Sequence, residues 1–416
     1  MKLLWLCNMV PGKVKERISG KQVSGGLWVD HVLSDLRKQK DLSIHILCPG
    51  SGVRGELDEA CSYATFQSGL PHEYKAELET VFDGELKAFQ PDVIHIWGTE
   101  YAHSLAMMNA AEKNGIQDRC VISIQGLCSI YAGHYAEGVP YSVQKEFTFR
   151  DAVRQDNIEQ QRKKFALRGE NEIAALKKAK HVIGRTDWDR ACTAWIHPKA
   201  KYHFCNETLR EPFYEGQWQY HRCRKHRIFA SSCAYPVKGF HYLLEAFGEV
   251  VKSYPDATLA VPGKSFLEMD KLHRTSYQKY LSRLAREKGV AERIEFLGSL
   301  SADEMKQQYL TANVFVLPST IENSPNSLGE AMLLGVPCVS ADVGGVTNLM
   351  THRKEGFIYQ STASYMLAHY IQEIFVWEDR AEAMGRNAHD HAAKTHDPEK
   401  NLRDLLGIYR ELAGEG

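Results

Sequence analysis

The sequence predicts an α/β protein built as two doubly wound, mostly parallel domains facing each other across a cleft. Three observations carry this. Short β-rich runs alternate with longer helical patterns along most of the chain, the signature of β-α-β units. At 416 residues the chain exceeds what one hydrophobic core organises. The alternation breaks once, over 212–227, where Phe213, Tyr214, Trp218 and Tyr220 sit among polar and basic residues without any apolar period.

In the first half, strands are expected at 2–7, 43–48, 92–97, 120–124 and 181–184. Helices are expected at 26–38, at 101–114 closed by Gly115, and along a charged stretch at 157–180. After the break the pattern restarts with a strand at 227–231 and a helix at 239–254. Further strands follow at 258–261, 293–297, 314–317 and 337–341. Residues 363–416 read as amphipathic helix, interrupted at Asp397-Pro398. The first domain is therefore 1–211, the linker 212–226, and the second domain starts at 227. In such sheets ligands sit beyond the carboxyl ends of the strands.

Composition narrows the function. Hydrophobic residues make up 44% and charged residues 25%, ordinary for a folded protein. A net charge of −1 gives the whole molecule no attraction to nucleic acid, which is not expected as a partner. Ten cysteines without a C-x-x-C pair, several in apolar runs, predict buried thiols in a reducing compartment. Eighteen histidines form no H-E-x-x-H, so no metal is expected. The segment 1–10 reads as a first strand rather than a signal peptide, and no apolar run is long enough to span a bilayer. A cytoplasmic protein is expected. The basic run 221–227 reads first as solvated surface; the sharper alternative is contact with a lipid pyrophosphate or the inner face of a membrane.

The chemistry concentrates in 314–339. A buried strand ends at Pro318, a polar loop carries Glu322, and Asn326 or Ser327 caps a helix that Gly335 and Pro337 terminate. The first N–H groups of that helix, through Leu328, together with its dipole, suit a diphosphate. Glu322 in the loop and Glu330 in the helix are placed to bind sugar and ribose hydroxyls.

The Glu322-x-x-Pro325-x-x-x-x-Glu330-Ala331 core, with its Leu334-Gly335-Val336-Pro337 ending, resembles the E-x7-E block of retaining family-4 glycosyltransferases of the bacterial surface-polysaccharide type. Val237-Lys238-Gly239 before Leu243-Leu244 resembles that family's phosphate-binding lysine motif, and Gly25-Gly26 its N-terminal glycine loop. Asp92-Val93-Ile94-His95 and Gly344-Gly345 match in order, with His95 read as a core histidine and Gly344-Gly345 as a close-approach turn. The resemblance implies the GT-B fold, two Rossmann-like domains, with a C-terminal domain at 227–384 binding the nucleotide sugar and a helix at 385–416 returning to an acceptor-side N-terminal domain. It implies Glu322 on the transferred sugar, Glu330 on the ribose and Lys238 on the diphosphate, with retention of configuration and no cofactor beyond the nucleotide-sugar co-substrate. The acceptor would be a sugar, glycan or lipid-linked glycan.

Two positions depart from the family. Ser232 stands where relatives carry Arg, six residues before the lysine; Arg185 is the candidate replacement. Gln125 stands where many relatives carry His; it can hydrogen-bond a sugar hydroxyl but cannot titrate. These departures keep open a nucleotide-sugar-binding protein with impaired catalysis, and a nucleotide-sugar 2-epimerase of the same fold is the enzymatic alternative.

Overall fold

A computed structural model describes residues 1–21 and 28–414. The chain divides by its contacts into two compact units, and each contains one sheet.

The first unit comprises Met1–Ala132, Lys164–Arg210 and His396–Gly416. Its strands are β1 Lys2–Cys7, β2 Ser43–Pro49, β3 Arg54–Asp58, β4 Cys61–Phe66, β5 Val93–Trp97, β6 Cys120–Ser123, β7 His181–Gly184 and β8 Lys201–Phe204. They lie in the order β3-β4-β2-β1-β5-β6-β7-β8, parallel except for the β3–β4 pair. Strand β1 shows why the sheet is covered on both faces. Leu3, Trp5 and Cys7 enter one apolar cluster while Leu4 and Leu6 enter another, so the period-2 alternation delivers an apolar residue to each side. The helix Pro398–Ala413 belongs to this unit: the Tyr409 hydroxyl bonds Trp5 Nε1 at 3.2 Å and His95 Nδ1 at 2.6 Å. His95 is fully buried, its other nitrogen meets Ser123 Oγ at 2.7 Å, and burial lowers its pKa to about 3. It is a core histidine, neutral and satisfied.

The second unit comprises Gly133–Lys163 and Glu211–Thr395. Its strands are β9 Arg227–Ala230, β10 Thr258–Val261, β11 Ile294–Phe296, β12 Val314–Leu317, β13 Cys338–Asp342 and β14 Phe357–Gln360. They are all parallel, in the order β11-β10-β9-β12-β13-β14. The sequence assigns 133–163 to the first domain, whereas its contacts group it with the second unit. Asp151, fully buried, closes a capping box with Thr148 and accepts from Ser276 N at 2.7 Å. The Glu137 carbonyl meets His241 Nε2 at 3.0 Å, and Gly138 (φ +73°) lies so close to Tyr242 that a Cβ would fall 1.9 Å from its hydroxyl.

The basic run also differs from expectation. Arg227 is buried and, with Arg224, pairs with Glu295; His226 pairs with Asp256. Three of its charges or potential charges are thus spent fastening the start of β9. All ten cysteines are unpaired and nine are buried. Among the described residues, no helix is long and apolar enough to cross a membrane.

Candidate functional site

Within the second unit, three strand ends converge on one loop. After β9 the chain reaches a short turn, Pro236–Lys238, and enters the helix Phe240–Ser253 through Gly239. After β12 comes the loop carrying Ser319, Thr320 and Glu322; after β13 comes Gly344-Gly345. Thr320 stitches the first two together, its N–H donating to the Val237 carbonyl at 2.9 Å. Lys238 Nζ then donates to Glu322 Oε1 at 2.6 Å, and Ser319 Oγ donates to the same oxygen at 2.8 Å. Lys238 keeps 37% of its side chain exposed while Glu322 keeps 9%, so the ammonium can reach a ligand without leaving the carboxylate's neighbourhood.

Glycine is required twice here. Gly239 has φ +64°, and a Cβ on it would lie 1.8 Å from the Pro318 carbonyl oxygen. Gly344 has φ +50°, and its Cβ would lie 1.7 Å from the carbonyl oxygen of Glu322, which accepts from Gly345 N at 3.1 Å. The glycine pair is therefore the close-approach turn that braces the Glu322 loop. Gly239→Ala combines a left-handed backbone with a clash against main chain, each costing about 1–3 kcal/mol. We expect a loss of about 3 kcal/mol in chemical denaturation; wild-type stability would show that the two loops part without cost.

The helix Asn326–Leu333 has Pro325 as its N-cap and no side-chain capping hydrogen bond. This corrects the expectation that Asn326 or Ser327 caps it: both lie inside the first turn. Leu328 and Gly329 N–H donate to the Pro325 carbonyl at 2.9 and 3.2 Å, so Asn326 and Ser327 head the N-terminus. Glu330 is buried on this helix. Ser232, after β9, accepts from Ala234 N at 3.3 Å and brings no positive charge.

Gln125 and Arg185 lie in the first unit, just beyond β6 and β7. Both engage Glu207, a residue that sequence reasoning missed. Its Oε1 accepts from Arg185 Nη1 and from Gln125 Nε2. Arg185 and Glu207 are 6% exposed each. Burial pushes the Glu207 carboxyl up, against the downward pull of Arg185 and Gln125. Arg185 is thus committed to a buried carboxylate of its own unit. Gly25 and Gly26 lie outside the described residues. Tertiary structure also gathers His181, His203 and Glu411, with one potential ligand atom from each within 4.8 Å of the others, a grouping invisible in sequence spacing; Lys201 pairs with Glu411 there.

Comparison with known proteins agrees with this architecture. Residues 222–391 match the family model described as glycosyl transferases group 1. D-inositol 3-phosphate glycosyltransferase of Corynebacterium urealyticum is 28% identical over 181 residues, 42% of this chain and 41% of that protein. A GDP-mannose-dependent alpha-(1-6)-phosphatidylinositol monomannoside mannosyltransferase of Mycobacterium tuberculosis is 27% identical over 157 residues, 36% of this chain and 38% of that protein. The chain thus spans about two fifths of the length of these relatives. Sucrose-phosphate synthase of Thermosynechococcus elongatus superposes with a TM-score of 0.73 at 15% identity, covering 100% of both chains. Anabaena HepE, solved in complex with UDP-glucose, superposes at 0.68 and 17% identity over 99% of this chain and 100% of its own. The two Rossmann-like units are those of the GT-B fold, and the stretch matching glycosyl transferases group 1 is the one that carries Lys238, Glu322 and Glu330.

Proposed function

We propose that this protein is a retaining glycosyltransferase that moves a sugar from a nucleotide-diphosphate sugar to a hydroxyl acceptor in polysaccharide or glycoconjugate assembly. The observation that carries the reading is the Lys238–Glu322 pair, set just before a helix whose N-terminus no side chain caps. The donor's diphosphate takes the Lys238 ammonium and the Asn326 and Ser327 N–H groups, an anion site of lysine, amides and helix dipole. Glu322 accepts from hydroxyls of the transferred sugar while keeping Lys238 in place, and Glu330 accepts from the ribose.

The bond from the anomeric carbon to the phosphate oxygen breaks while the acceptor oxygen attacks on the same face. The acceptor's proton passes to the departing phosphate. Charge grows on that phosphate as the bond breaks, so preorganised donors act there most strongly. Arg224, His226 and Arg227 of the basic run are paired within the unit, and the reading assigns them no membrane contact.

Thermal shift against a panel of nucleotide sugars tests the reading, since a donor bound by the folded state raises Tm. NMR of the product then reports the anomeric configuration. Absence of any stabilising nucleotide sugar, inversion, or isomerisation of the donor without an acceptor would overturn it. A charge-assisted hydrogen bond contributes about 1.5–3 kcal/mol, so Glu330→Gln should raise donor KM by about 10- to 150-fold. An unchanged KM in a folded variant would remove Glu330 from the ribose.

A further inference from the structure

Strands β7 and β8 pair in parallel with His181 opposite Lys201 and Ile183 opposite His203. Alternation along each strand therefore puts His181, Ile183, Lys201 and His203 on one face. That face is covered by the helix Pro398–Ala413, since Ile183 shares an apolar cluster with its Leu405, Ile408 and Leu412. Glu411, in the last turn of the same helix, completes a group of three potential ligands with His181 and His203. The two imidazoles face each other, His181 Nδ1 lying 2.9 Å from His203 Nε2. Burial lowers the pKa of both rings, against the upward pull of Glu411, so each is neutral, the form that binds metal. Two facing lone pairs of neutral rings repel unless a proton or a cation stands between them.

We propose that His181, His203 and Glu411 form a structural zinc site that fastens the last turn of the helix Pro398–Ala413 to β7 and the edge strand β8. Two imidazole nitrogens and one carboxylate oxygen, with water in the fourth position, are a zinc donor set, whereas magnesium and calcium prefer oxygen alone. Two nitrogens held tetrahedrally by one zinc at ~2.0–2.1 Å lie about 3.3 Å apart, a few tenths of an ångström beyond the spacing observed here. Glu411 has the freedom to close on the ion, because 43% of its side chain is exposed. The site stands apart from the glycosyltransferase reading. His181 opens β7, while Arg185 follows that strand's carboxyl end.

Positive charge around the group sets its strength. Glu411 pairs with Lys201, and His181 lines an open cavity of about 560 Å³ together with Lys180, Lys199 and Lys201. The cavity gives an ion a way in, and the lysines oppose it. Lys180 is balanced by Asp118. A carboxylate has two oxygens, so Glu411 can hold Lys201 with one and zinc with the other. Lys201 thus competes directly with the metal, and neutralising it should tighten binding.

Calorimetric titration of the full chain, stripped with EDTA and dialysed, tests the site with zinc chloride as the probe. Zinc should bind saturably and raise Tm, as a ligand of the folded state does, and magnesium should do neither. Glu411→Gln and His181→Ala should each weaken zinc at least tenfold and lose most of the rise in Tm, while Lys201→Gln should bind it more tightly. Both weakened positions reach solvent, so the variants should fold. Cobalt(II) should give the visible absorption of a tetrahedral nitrogen and oxygen site without thiolate charge transfer, which separates this site from the cysteines. No saturable zinc binding, an equal response to magnesium, a thiolate band, or wild-type zinc affinity in Glu411→Gln and His181→Ala would overturn the proposal.

Discussion

Lys238→Ala is expected to lower kcat for sugar transfer by about 10²–10³-fold, the loss typical of removing one preorganised donor from a developing anion. The geometry explains why the effect should fall on kcat as well as on donor KM. Lys238 is held by Glu322 at 2.6 Å, the turn that carries it is pinned through Thr320 to Val237, and Gly239 allows the helix behind it to approach Pro318. The ammonium is therefore placed before the donor arrives, and little reorganisation remains as charge develops. Neither candidate partner supports it: Ser232 supplies no charge, and Arg185 is held by Glu207. Stability should change by no more than about 1 kcal/mol, because the lysine is more than a third exposed and its ion pair is partly screened. Steady-state kinetics with circular dichroism reads both quantities. Wild-type turnover in a folded variant would take Lys238 out of the site, and with it the account of how the diphosphate is held.

How much of this was legible in the sequence depended on where each residue's partners lie. Strands buried on both faces, such as β1, β5 and β12, are continuous apolar runs and were readable. The edge strands β3, β8 and β14 were not. Arg54–Asp58 is polar and half-exposed, and Lys201–Phe204 alternates only weakly, so neither shows the signal of a buried strand. The helix Asn326–Leu333 was readable from Gly335 and Pro337, but its cap was not. Asn326 and Ser327 have capping chemistry, yet Pro325 already holds the extended conformation of the N-cap and places them inside the helix. Lys238 and Glu322 were found because each sits in a recognisable local pattern. Glu207 was missed because what marks it is long-range: Gln125 is 82 residues from it. One local cue existed. It follows closely on a strand's carboxyl end, where ligand-binding and ion-pairing residues of such sheets gather.

Arg185→Met is expected to destabilise the protein by about 3–5 kcal/mol while leaving donor KM unchanged, because it strands a buried carboxylate rather than uncovering a phosphate site. In the wild type one oxygen of Glu207 accepts from both Arg185 and Gln125, and Arg185 further donates to the Ile124 carbonyl at 3.3 Å and to Gln125 Oε1 at 3.4 Å. Burial already pushes the Glu207 carboxyl upward, with Arg185 the strongest opposing influence. Without the arginine the folded state favours the protonated acid still more. A carboxyl whose folded pKa exceeds its unfolded value, near 4.3 for Glu, is favourable to the folded state below that value and costs stability as pH rises through the folded one. The deficit of Arg185→Met should therefore be smallest near pH 4 and widen toward pH 8 in urea denaturation. Arg185→Met combined with Glu207→Gln should recover most of the loss and remove the pH dependence, because the neutral amide no longer needs the guanidinium. A donor KM that rises in Arg185→Met and stays high in the double variant would return Arg185 to the phosphates, in the place of the arginine that Ser232 lacks. A flat pH profile would show instead that Glu207 finds solvent or another cation once Arg185 is gone.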